Sequence, residues 1–267
     1  VVRQVKDSMI LENATNIRNQ ILNKNFTYPI FDLNEDVIRI NSGEELQEHI
    51  ENAYSKSGVE NTTIICRSNK RANQYNARIR SEIRWQENSI SSGDILMIVR
   101  NNYFWLDEDS EAGFLANGDI VEATRITEII ERYGFRFAKA SLKLLDYPNE
   151  KELETILLLD TIESETSSLS FDDYQNLYKE IGKDYKGKKD INKKIKENKF
   201  FNAIQIKFAY SITCHKSQGG QWEEVFIDLG YFKEDMLNKS YLRWLYTAFT
   251  RATKKLYLIN FNKNFFK

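Results

Sequence analysis

Short apolar runs along the chain alternate with segments whose apolar residues recur at helical spacing. Runs that predict buried strands lie at Val37–Ile40, Thr62–Cys66, Ile204–Phe208, 225–229 and 256–259. The spacing predicts helices at residues 44–54, from Ser68 as N-cap through Ile83, and at 241–252. Strands that alternate with helices in this way are typical of a parallel α/β layer.

The middle of the chain has a different pattern, in which predicted strands follow one another directly. They lie at 94–99, 104–106, 119–129 and 135–144, with turn signals at Gly93, Asn117-Gly118 and Tyr133-Gly134. Successive strands without helices between them predict a small antiparallel barrel or sheet. Two predicted helices, 149–164 and 171–181, come before the α/β pattern resumes. The predicted domains are residues 1–85 with 203–267, which form one α/β domain, and an insertion over residues 86–202.

Composition excludes several classes of protein. The 38 basic and 39 acidic residues give a net charge of −1, which favours no particular partner. No apolar run approaches the roughly 18 residues that cross a bilayer, so we expect no membrane partner. Two cysteines and two histidines are too few for a disulfide framework or a histidine-rich metal centre, so we expect no metal ligands in this chain. The chain begins with Val1, without Met or a signal-peptide pattern, and we interpret it as a cytoplasmic protein cut from something longer.

The balanced total conceals local charge. Residues 67–84 carry six basic side chains against Glu82, and residues 239–267 carry seven with no acid. Residues 107–165 carry 15 acids against six bases. Such patches create strong local potentials, although solvated helix faces explain each patch alone equally well. Residues 183–199, with eight lysines against three acids, are typical of a flexible connector.

The densest set of hydrogen-bonding groups lies between two predicted strands, at residues 209–222. This segment reads Ala-Tyr-Ser-Ile-Thr-Cys-His-Lys-Ser-Gln-Gly-Gly-Gln-Trp. Ligands bind where strands end in open α/β sheets, and paired glycines permit a close backbone approach. On composition alone, however, a polar loop that caps a helix is the more economical interpretation.

A second segment, residues 245–252, reads Leu-Tyr-Thr-Ala-Phe-Thr-Arg-Ala. Arg251, near the end of an apolar helix, either complements the helix dipole or binds a phosphate with its planar fork, which Lys cannot imitate. Taken alone, the segment favours the interaction of Arg251 with the helix dipole over phosphate binding.

Together, in this order and with about 25 residues between them, the two segments resemble motifs V and VI of superfamily 1 helicases. The resemblance is to the RecD/Dda-type branch, within the UvrD-like helicase C-terminal domain. Three further segments are similar to parts of that branch: 62–80 to the surroundings of motif IV, 114–121 to the opening of an inserted β-barrel, and 1–18 to the segment after motif III. Residues 125–203 carry almost no resemblance.

The resemblance implies the fold and the activity. The fold is an α/β, RecA-like parallel sheet, the second motor domain of a helicase, with an inserted small β-barrel subdomain. The intact protein is expected to hydrolyse ATP, to translocate on single-stranded DNA in the 5′→3′ direction and to unwind duplex. ATP and Mg²⁺ would be held mainly by an N-terminal RecA-like domain of the same protein, which is the implied partner beside single-stranded DNA. Other repair or recombination proteins are further implied partners.

The resemblance also assigns roles to individual residues. Arg251 and Arg3 match arginines that reach the nucleotide across the cleft between the two motor domains, and both are expected to be catalytic. The nucleotide-binding residues are expected to be Arg251, Arg3, Gly219 and Gln221. The DNA-binding residues are expected to be Thr213, His215, Lys216, Gln218, Arg67 and Asn69. No residue is expected to bind a metal.

The sequence departs from the family pattern at several points. It contains no Gly-x-x-x-x-Gly-Lys-Ser/Thr segment, so we expect this chain alone to be inactive. Gln221 stands where relatives often have Glu, which puts a charge-dependent role there in doubt. Cys214 stands where relatives often have Val, and we expect it to pack without a redox role. Three alternatives stay open: a RecD-type exonuclease subunit, a non-catalytic nucleic-acid-binding module with a degenerate motor fold, and an RNA helicase.

Overall fold

The structure, a computed structural model, describes residues 8–107 and 109–267. The strands of this part are β1 (Val37–Ile40), β2 (Thr62–Cys66), β3 (Asp94–Ile98), β4 (Ile120–Arg132), β5 (Phe135–Leu144), β6 (Leu153–Leu158), β7 (Ile204–Phe208), β8 (Ser211–Thr213), β9 (Trp222–Asp228) and β10 (Ala252–Ile259). The helices are α1 (Met9–Leu22), α2 (Gly43–Ser57), α3 (Asn69–Arg78), α4 (Asp160–Glu163), α5 (Phe171–Lys183), α6 (Ile191–Lys196) and α7 (Lys239–Phe249). They fall into two compact units, one made of the residues up to 84 with 210–267, the other of residues 85–209.

The first unit is a parallel α/β layer. Its five strands lie in the order β1-β10-β9-β2-β8, and every pairing is parallel. All residues of β2 are buried, as expected for a strand covered on both faces. Because all five strands run the same way, their carboxyl ends meet at one edge of the sheet.

One core of this unit lies between the sheet and two helices. Ile10 and Ile17 of α1 and Leu245 and Phe249 of α7 are fully buried in the same cluster. These residues recur at helical spacing, so each helix presents one apolar face to the sheet. α7 begins at the N-cap Asn238, whose side chain accepts from the Tyr241 amide at 3.0 Å.

The second unit is a closed barrel of β3, β4, β5, β6 and β7. This architecture confirms the predicted fold class, a RecA-like parallel sheet with a small β-barrel. The strand Ile204–Phe208 was predicted correctly, but it does not belong to the α/β layer. It pairs with β3 and β6 and closes the barrel, so the α/β unit resumes at residue 210.

Two predicted elements of this unit are wrong. Residues 104–106 form bends instead of a strand, because the Asn102 side chain accepts from the Phe104 amide at 3.0 Å and makes a local turn. Residues 149–164 contain β6 and only the short α4 instead of one helix. The apolar run in β6 is buried on both faces, and such short runs do not distinguish strand from helix.

The lysine-rich segment is also more ordered than predicted. Residues 183–199 include α6, whose Ile195 is buried beside Leu177 and Ile181 of α5. Ile195 therefore anchors α6 in a hydrophobic cluster that also contains Phe137 of β5 and Leu158 of β6.

Within the part of the chain that the structure describes, no helix is long and apolar enough to cross a bilayer.

Candidate nucleic-acid interface

The loop after β8 is a tight turn that separates buried from exposed side chains. The Thr213 carbonyl accepts from the amides of Lys216 at 2.9 Å and Ser217 at 3.1 Å. Ser217 is fully buried, and its hydroxyl donates to the Cys214 carbonyl at 2.8 Å. These hydrogen bonds pair the polar groups on the inner side of the turn. His215 and Gln218 lie on its outer side and are exposed.

A buried asparagine attaches this loop to α3. Asn76 donates from its side-chain nitrogen to the Ser211 carbonyl at 3.0 Å and accepts from the Ser211 amide at 2.7 Å. These two hydrogen bonds connect the start of β8 to α3, the helix that follows β2. We did not predict this residue from the sequence, although an Asn beside Ala72 and Tyr75 on the inner face of the helix was a usable signal.

Arg251 lies after α7, not within it. The helix predicted over 241–252 ends at Phe249, Thr250 is its C-cap, and β10 begins at Ala252. This early end puts the Arg251 side chain beneath the loop after β8, where only 9% of the residue is exposed.

Hydrogen bonds to the end of α7 and to the loop after β8 hold the Arg251 guanidinium. Nε donates to the Thr247 carbonyl at 3.0 Å, and Nη2 donates to the Thr250 hydroxyl at 3.1 Å. Nη1 donates to the Gly220 carbonyl at 2.9 Å and to the Ser217 carbonyl at 3.4 Å. Arg251 therefore connects the end of α7 to the loop that carries His215 and Gln218.

The two glycines of the loop are needed for different reasons. Gly219 is exposed and has a φ of +90°, which favours glycine. A Cβ on Gly220 would lie 2.5 Å from the Trp222 ring. The backbone packs directly on the indole here and leaves no room for a side chain. Gln221 is exposed beside them. Arg3 lies outside the described residues.

A groove of about 630 Å³ opens at the carboxyl edge of the sheet, and we call it the strand groove. It is lined by Arg67, Cys214, His215, Gln218, Asp235, Met236, Asn238, Ser240, Tyr241, Arg243, Trp244 and Thr247. Of the residues predicted to bind DNA, the structure brings Arg67, His215 and Gln218 together here. Thr213, Lys216 and Asn69 do not line it, since Thr213 and Lys216 are half-buried in the turn and Asn69 begins α3. Burial lowers the pKa of Lys216.

One wall of the strand groove is aromatic and basic. The Tyr241 and Trp244 rings stack with centroids 6.1 Å apart, and the Arg67 guanidinium lies 5.3 Å and 5.7 Å from their respective centroids. Arg243, between them in sequence, is exposed at the groove. Sequence reasoning assigned none of these three α7 residues a role. The signal was present, because Tyr241 and Trp244 are three residues apart and so share a helix face.

The two cysteines are buried packing groups. Burial raises the pKa of Cys214 to about 11 and the pKa of Cys66 to about 12. Both thiols are therefore protonated at neutral pH and lack the thiolate that redox chemistry requires. No cluster of His, Cys, Asp and Glu among the described residues is arranged to hold a metal ion.

Comparison with known proteins finds a helicase family. Residues 208–259 match the family model of the UvrD-like helicase C-terminal domain. This match covers β8, both glycines and Arg251, and it confirms the predicted resemblance to a superfamily 1 helicase C-terminal domain. The RecD/Dda subtype stays a prediction.

Longer but weaker similarities extend over most of the chain. An uncharacterized protein of Acanthamoeba polyphaga mimivirus is 24% identical over 257 residues, 78% of this chain and 52% of that protein. A Pif1 helicase from Bacteroides, solved with ADP-AlF3 and ssDNA, is 11% identical with a TM-score of 0.46 and covers all of this chain and 52% of that one. A Pif1 helicase from Candida albicans is 13% identical with a TM-score of 0.39 and covers 99% of this chain and 56% of that one. The chain thus spans about half the length of these relatives.

Proposed function

We propose that this chain is the C-terminal motor portion of an ATP-dependent DNA helicase, and that its strand groove holds single-stranded DNA. The observation that carries the proposal is the meeting of Arg67, His215 and Gln218 with the Tyr241–Trp244 wall in one groove. Of the two rings, Tyr241 is buried and Trp244 is half-buried, so Trp244 is the ring that a base can reach. Basic side chains beside accessible aromatic rings are the combination with which proteins bind single strands without sequence preference. Stacking accepts any base, and the arginines attract the backbone.

The net charge of the two units favours DNA binding at the α/β unit over the barrel unit. Outside the barrel the sequence has 21 Lys and Arg residues against 16 Asp and Glu, whereas residues 85–209 have 17 against 23. Because nucleic acid is an anion, the net positive unit is the one that attracts it.

In this proposal the nucleotide contacts come from the other side of the same loop. Gly219 and Gln221 are exposed there, and Arg251 lies directly beneath. A cation with a planar fork and an exposed glycine backbone fit the chemistry of a phosphate. When bound with Mg²⁺, ATP supplies the free energy of hydrolysis, and an N-terminal RecA-like domain of the same protein carries the phosphate-binding loop. Arg3 is proposed as the second arginine at the nucleotide, and 5′→3′ movement is part of the proposal.

Arg251 also gives a physical route between the two sites. Its guanidinium holds the carbonyls of Ser217 and Gly220, and the same loop carries His215 and Gln218 into the strand groove. Any change in the position of Arg251 therefore changes the support of two groove residues.

A second candidate is a non-catalytic nucleic-acid-binding module. It is favoured by the burial of Arg251, whose guanidinium donates to the Thr247, Ser217 and Gly220 carbonyls and to the Thr250 hydroxyl. ATP hydrolysis by the complete protein, measured with and without oligo(dT), separates the two. DNA-stimulated hydrolysis that is lost in Arg251→Ala supports the motor, whereas DNA binding without hydrolysis supports the module. If the protein does not bind oligo(dT) at all, both are wrong.

A further inference from the structure

A second basic cavity lies at the same carboxyl edge of the sheet, away from motifs V and VI. It has a volume of about 430 Å³, and we call it the arginine cavity. Arg39, Arg71 and Arg78 line it, beside Asn260 and the start of α2. None of its described lining residues is acidic. Three guanidinium groups around an opening favour a phosphate-bearing ligand.

The arginine cavity is continuous with the strand groove. A cleft of about 590 Å³ lies between them. Arg67 and Met236 line both the groove and the cleft, while Arg71, Gln74 and Asn260 line both the cleft and the arginine cavity. The path follows the strand order of the sheet, from the end of β8 past β2, β9 and β10 to the end of β1. The three openings therefore follow one another along the carboxyl edge.

The charges of the cleft and of the arginine cavity suit an anion, whereas the strand groove has one exposed acid among its described lining residues, Asp235. Among the described residues that line the cleft, the single acid is Asp228, which is only 1% exposed and is already neutralised. Its carboxylate accepts from Arg71 Nε and from the Asn260 side chain at 2.7 Å. Arg71 is thereby held in position at the junction of cleft and cavity, with its side chain still partly exposed.

The other two arginines of the cavity are available to a ligand. Arg78 pairs with Glu82 at 2.9 Å, but both side chains are exposed, and exposed pairs of this kind contribute little. The Arg39 guanidinium lies 4.7 Å from the Phe266 ring centroid, and its buried Nε has no hydrogen-bond partner within the described part of the chain. Glu45 accepts from the Asn41 amide at 2.8 Å and so offsets the positive end of α2. The arginines, and not the N-terminal end of α2, therefore attract an anionic ligand to this cavity.

We propose that single-stranded DNA held in the strand groove continues along the carboxyl edge and places backbone phosphates in the arginine cavity. Five strands at a spacing of about 4.8 Å make an edge about 19 Å wide, which fits about five stacked nucleotides at ~3.4 Å each. The strand groove holds the first of these, and Arg39, Arg71 and Arg78 hold the phosphates of the last. This inference rests on the proposed function, since it extends the same DNA path.

The test compares DNA lengths in the complete protein. Fluorescence anisotropy with labelled oligo(dT) of increasing length is measured for the wild type, for Arg39→Gln/Arg78→Gln and for the control Arg125→Gln. Arg125 forms an exposed ion pair with Glu154 in the barrel unit and matches the pair of Arg78 with Glu82. Arg71 is left in place, because its removal would leave the buried Asp228 without its charge partner.

We expect the double variant to bind short strands like the wild type but to lose about tenfold in affinity for longer ones. Its affinity should stop increasing at a length about two nucleotides shorter. The slope of log affinity against log salt should fall in magnitude by about 1.4, which is about 0.7 for each lost phosphate contact. Arg39→Lys/Arg78→Lys should retain most of that slope, because it keeps both charges.

Two results would overturn the inference: unchanged affinity at every length, or an equal loss for short and long strands. Thermal unfolding of each variant verifies that the fold is intact. Arg243→Gln separates this inference from the proposed function, because it alters the strand groove and should weaken binding at every length. If Arg243→Gln behaves so while the double variant is unchanged, only the extended path is wrong. If the wild type binds no oligo(dT), the proposed function fails.

Discussion

Arg251 donates from Nη1 to the Gly220 carbonyl at 2.9 Å and so connects the residue after α7 to the loop after β8. The backbone reinforces the connection, because the Trp222 amide donates to the Arg251 carbonyl at 3.0 Å. A residue expected to act on a nucleotide is thus also a structural tie between two motifs that are about 30 residues apart in sequence. A substitution there changes both properties.

Arg251→Lys should impair hydrolysis and stability together. Lysine keeps the charge but lacks the fork that reaches Gly220 and Thr250 at once. In the complete protein we expect ATP turnover to fall by at least about 10³-fold, as for other arginines that act on a transferred phosphoryl group. Lost charge-assisted hydrogen bonds should lower the free energy of unfolding by about 1–3 kcal/mol. Steady-state hydrolysis and urea unfolding measure the two effects.

His215→Ala is the matched comparison for Arg251→Lys. His215 is exposed in the strand groove, so its removal should weaken oligo(dT) binding with little effect on unfolding. Arg251→Lys should lower nucleotide-free DNA affinity far less than it lowers turnover, because Arg251 reaches the strand groove only through the Ser217 and Gly220 carbonyls. If Arg251→Lys lowers DNA affinity as much as it lowers turnover, the two motifs do not have separate roles.

Trp244→Ala should weaken DNA binding through lost stacking. Trp244 forms the aromatic wall of the strand groove with Tyr241, and base–aromatic stacking contributes about 1–3 kcal/mol per base. We expect the dissociation constant for oligo(dT) to rise about 5- to 150-fold, with little change in its salt slope, because no phosphate contact is lost.

Trp244→Phe is the control for this prediction. Phenylalanine retains a ring for stacking, so most of the affinity should remain. If Trp244→Phe and Trp244→Ala lose the same affinity, the ring does not stack on a base and its contribution is local packing.

The α/β unit was more predictable from the sequence than the barrel unit. The predicted strands at Val37–Ile40 and Thr62–Cys66 have the bounds that the structure shows, because runs of four or five residues rich in Val, Ile and Thr favour a strand. In the barrel, the run within β6 was interpreted as a helix, and only its pairing with β5 and β7 decides its state. Long-range pairing of this kind is invisible to local periodicity.

The candidate site was predictable in part. Motif order identified Arg67, His215 and Gln218, which the structure brings to one groove. It did not identify Trp244, because an apolar residue in an apolar helix is interpreted as core until its exposure is known. The burial of Arg251 was equally hidden, since it depends on α7 ending three residues before the predicted end.

Stability should fall in mild alkali because of the buried thiols. Burial raises the pKa of Cys214 from 9.0 to about 11, so the folded state keeps its proton where the unfolded state loses it. The stabilisation is fully present below pH 9 and is lost as the pH rises toward 11, by up to about 1.4 kcal/mol per pH unit. Urea unfolding at pH 8, 9 and 10 should therefore show a shallower decline for Cys214→Ala than for the wild type. Parallel declines would mean that Cys214 ionises as readily in the folded state as in the unfolded one.

Gly220→Ala and Gly219→Ala should destabilise the loop by different mechanisms. A methyl group on Gly219 meets no atom within 4 Å, so its cost is the backbone strain of a positive φ, about 1–2 kcal/mol. A methyl group on Gly220 lies 2.5 Å from the Trp222 ring, and relief of that overlap moves either the indole or the carbonyl that accepts from Arg251. We expect Gly220→Ala to cost about 1–3 kcal/mol of unfolding free energy and to lower ATP turnover through the displaced Arg251. Any loss of turnover in Gly219→Ala would come from its own backbone contact with the nucleotide.

A double-mutant cycle with Trp222→Leu identifies the cause of the Gly220 effect. If the overlap with the indole is responsible, Trp222→Leu should recover about 1–2 kcal/mol in the Gly220→Ala background and nothing in the Gly219→Ala background. Urea unfolding of the four proteins in each cycle measures this coupling. Equal recovery in both backgrounds would show that Trp222 acts on the loop as a whole. No recovery in either would show that Gly220 is required for its backbone and not for the space that Trp222 occupies.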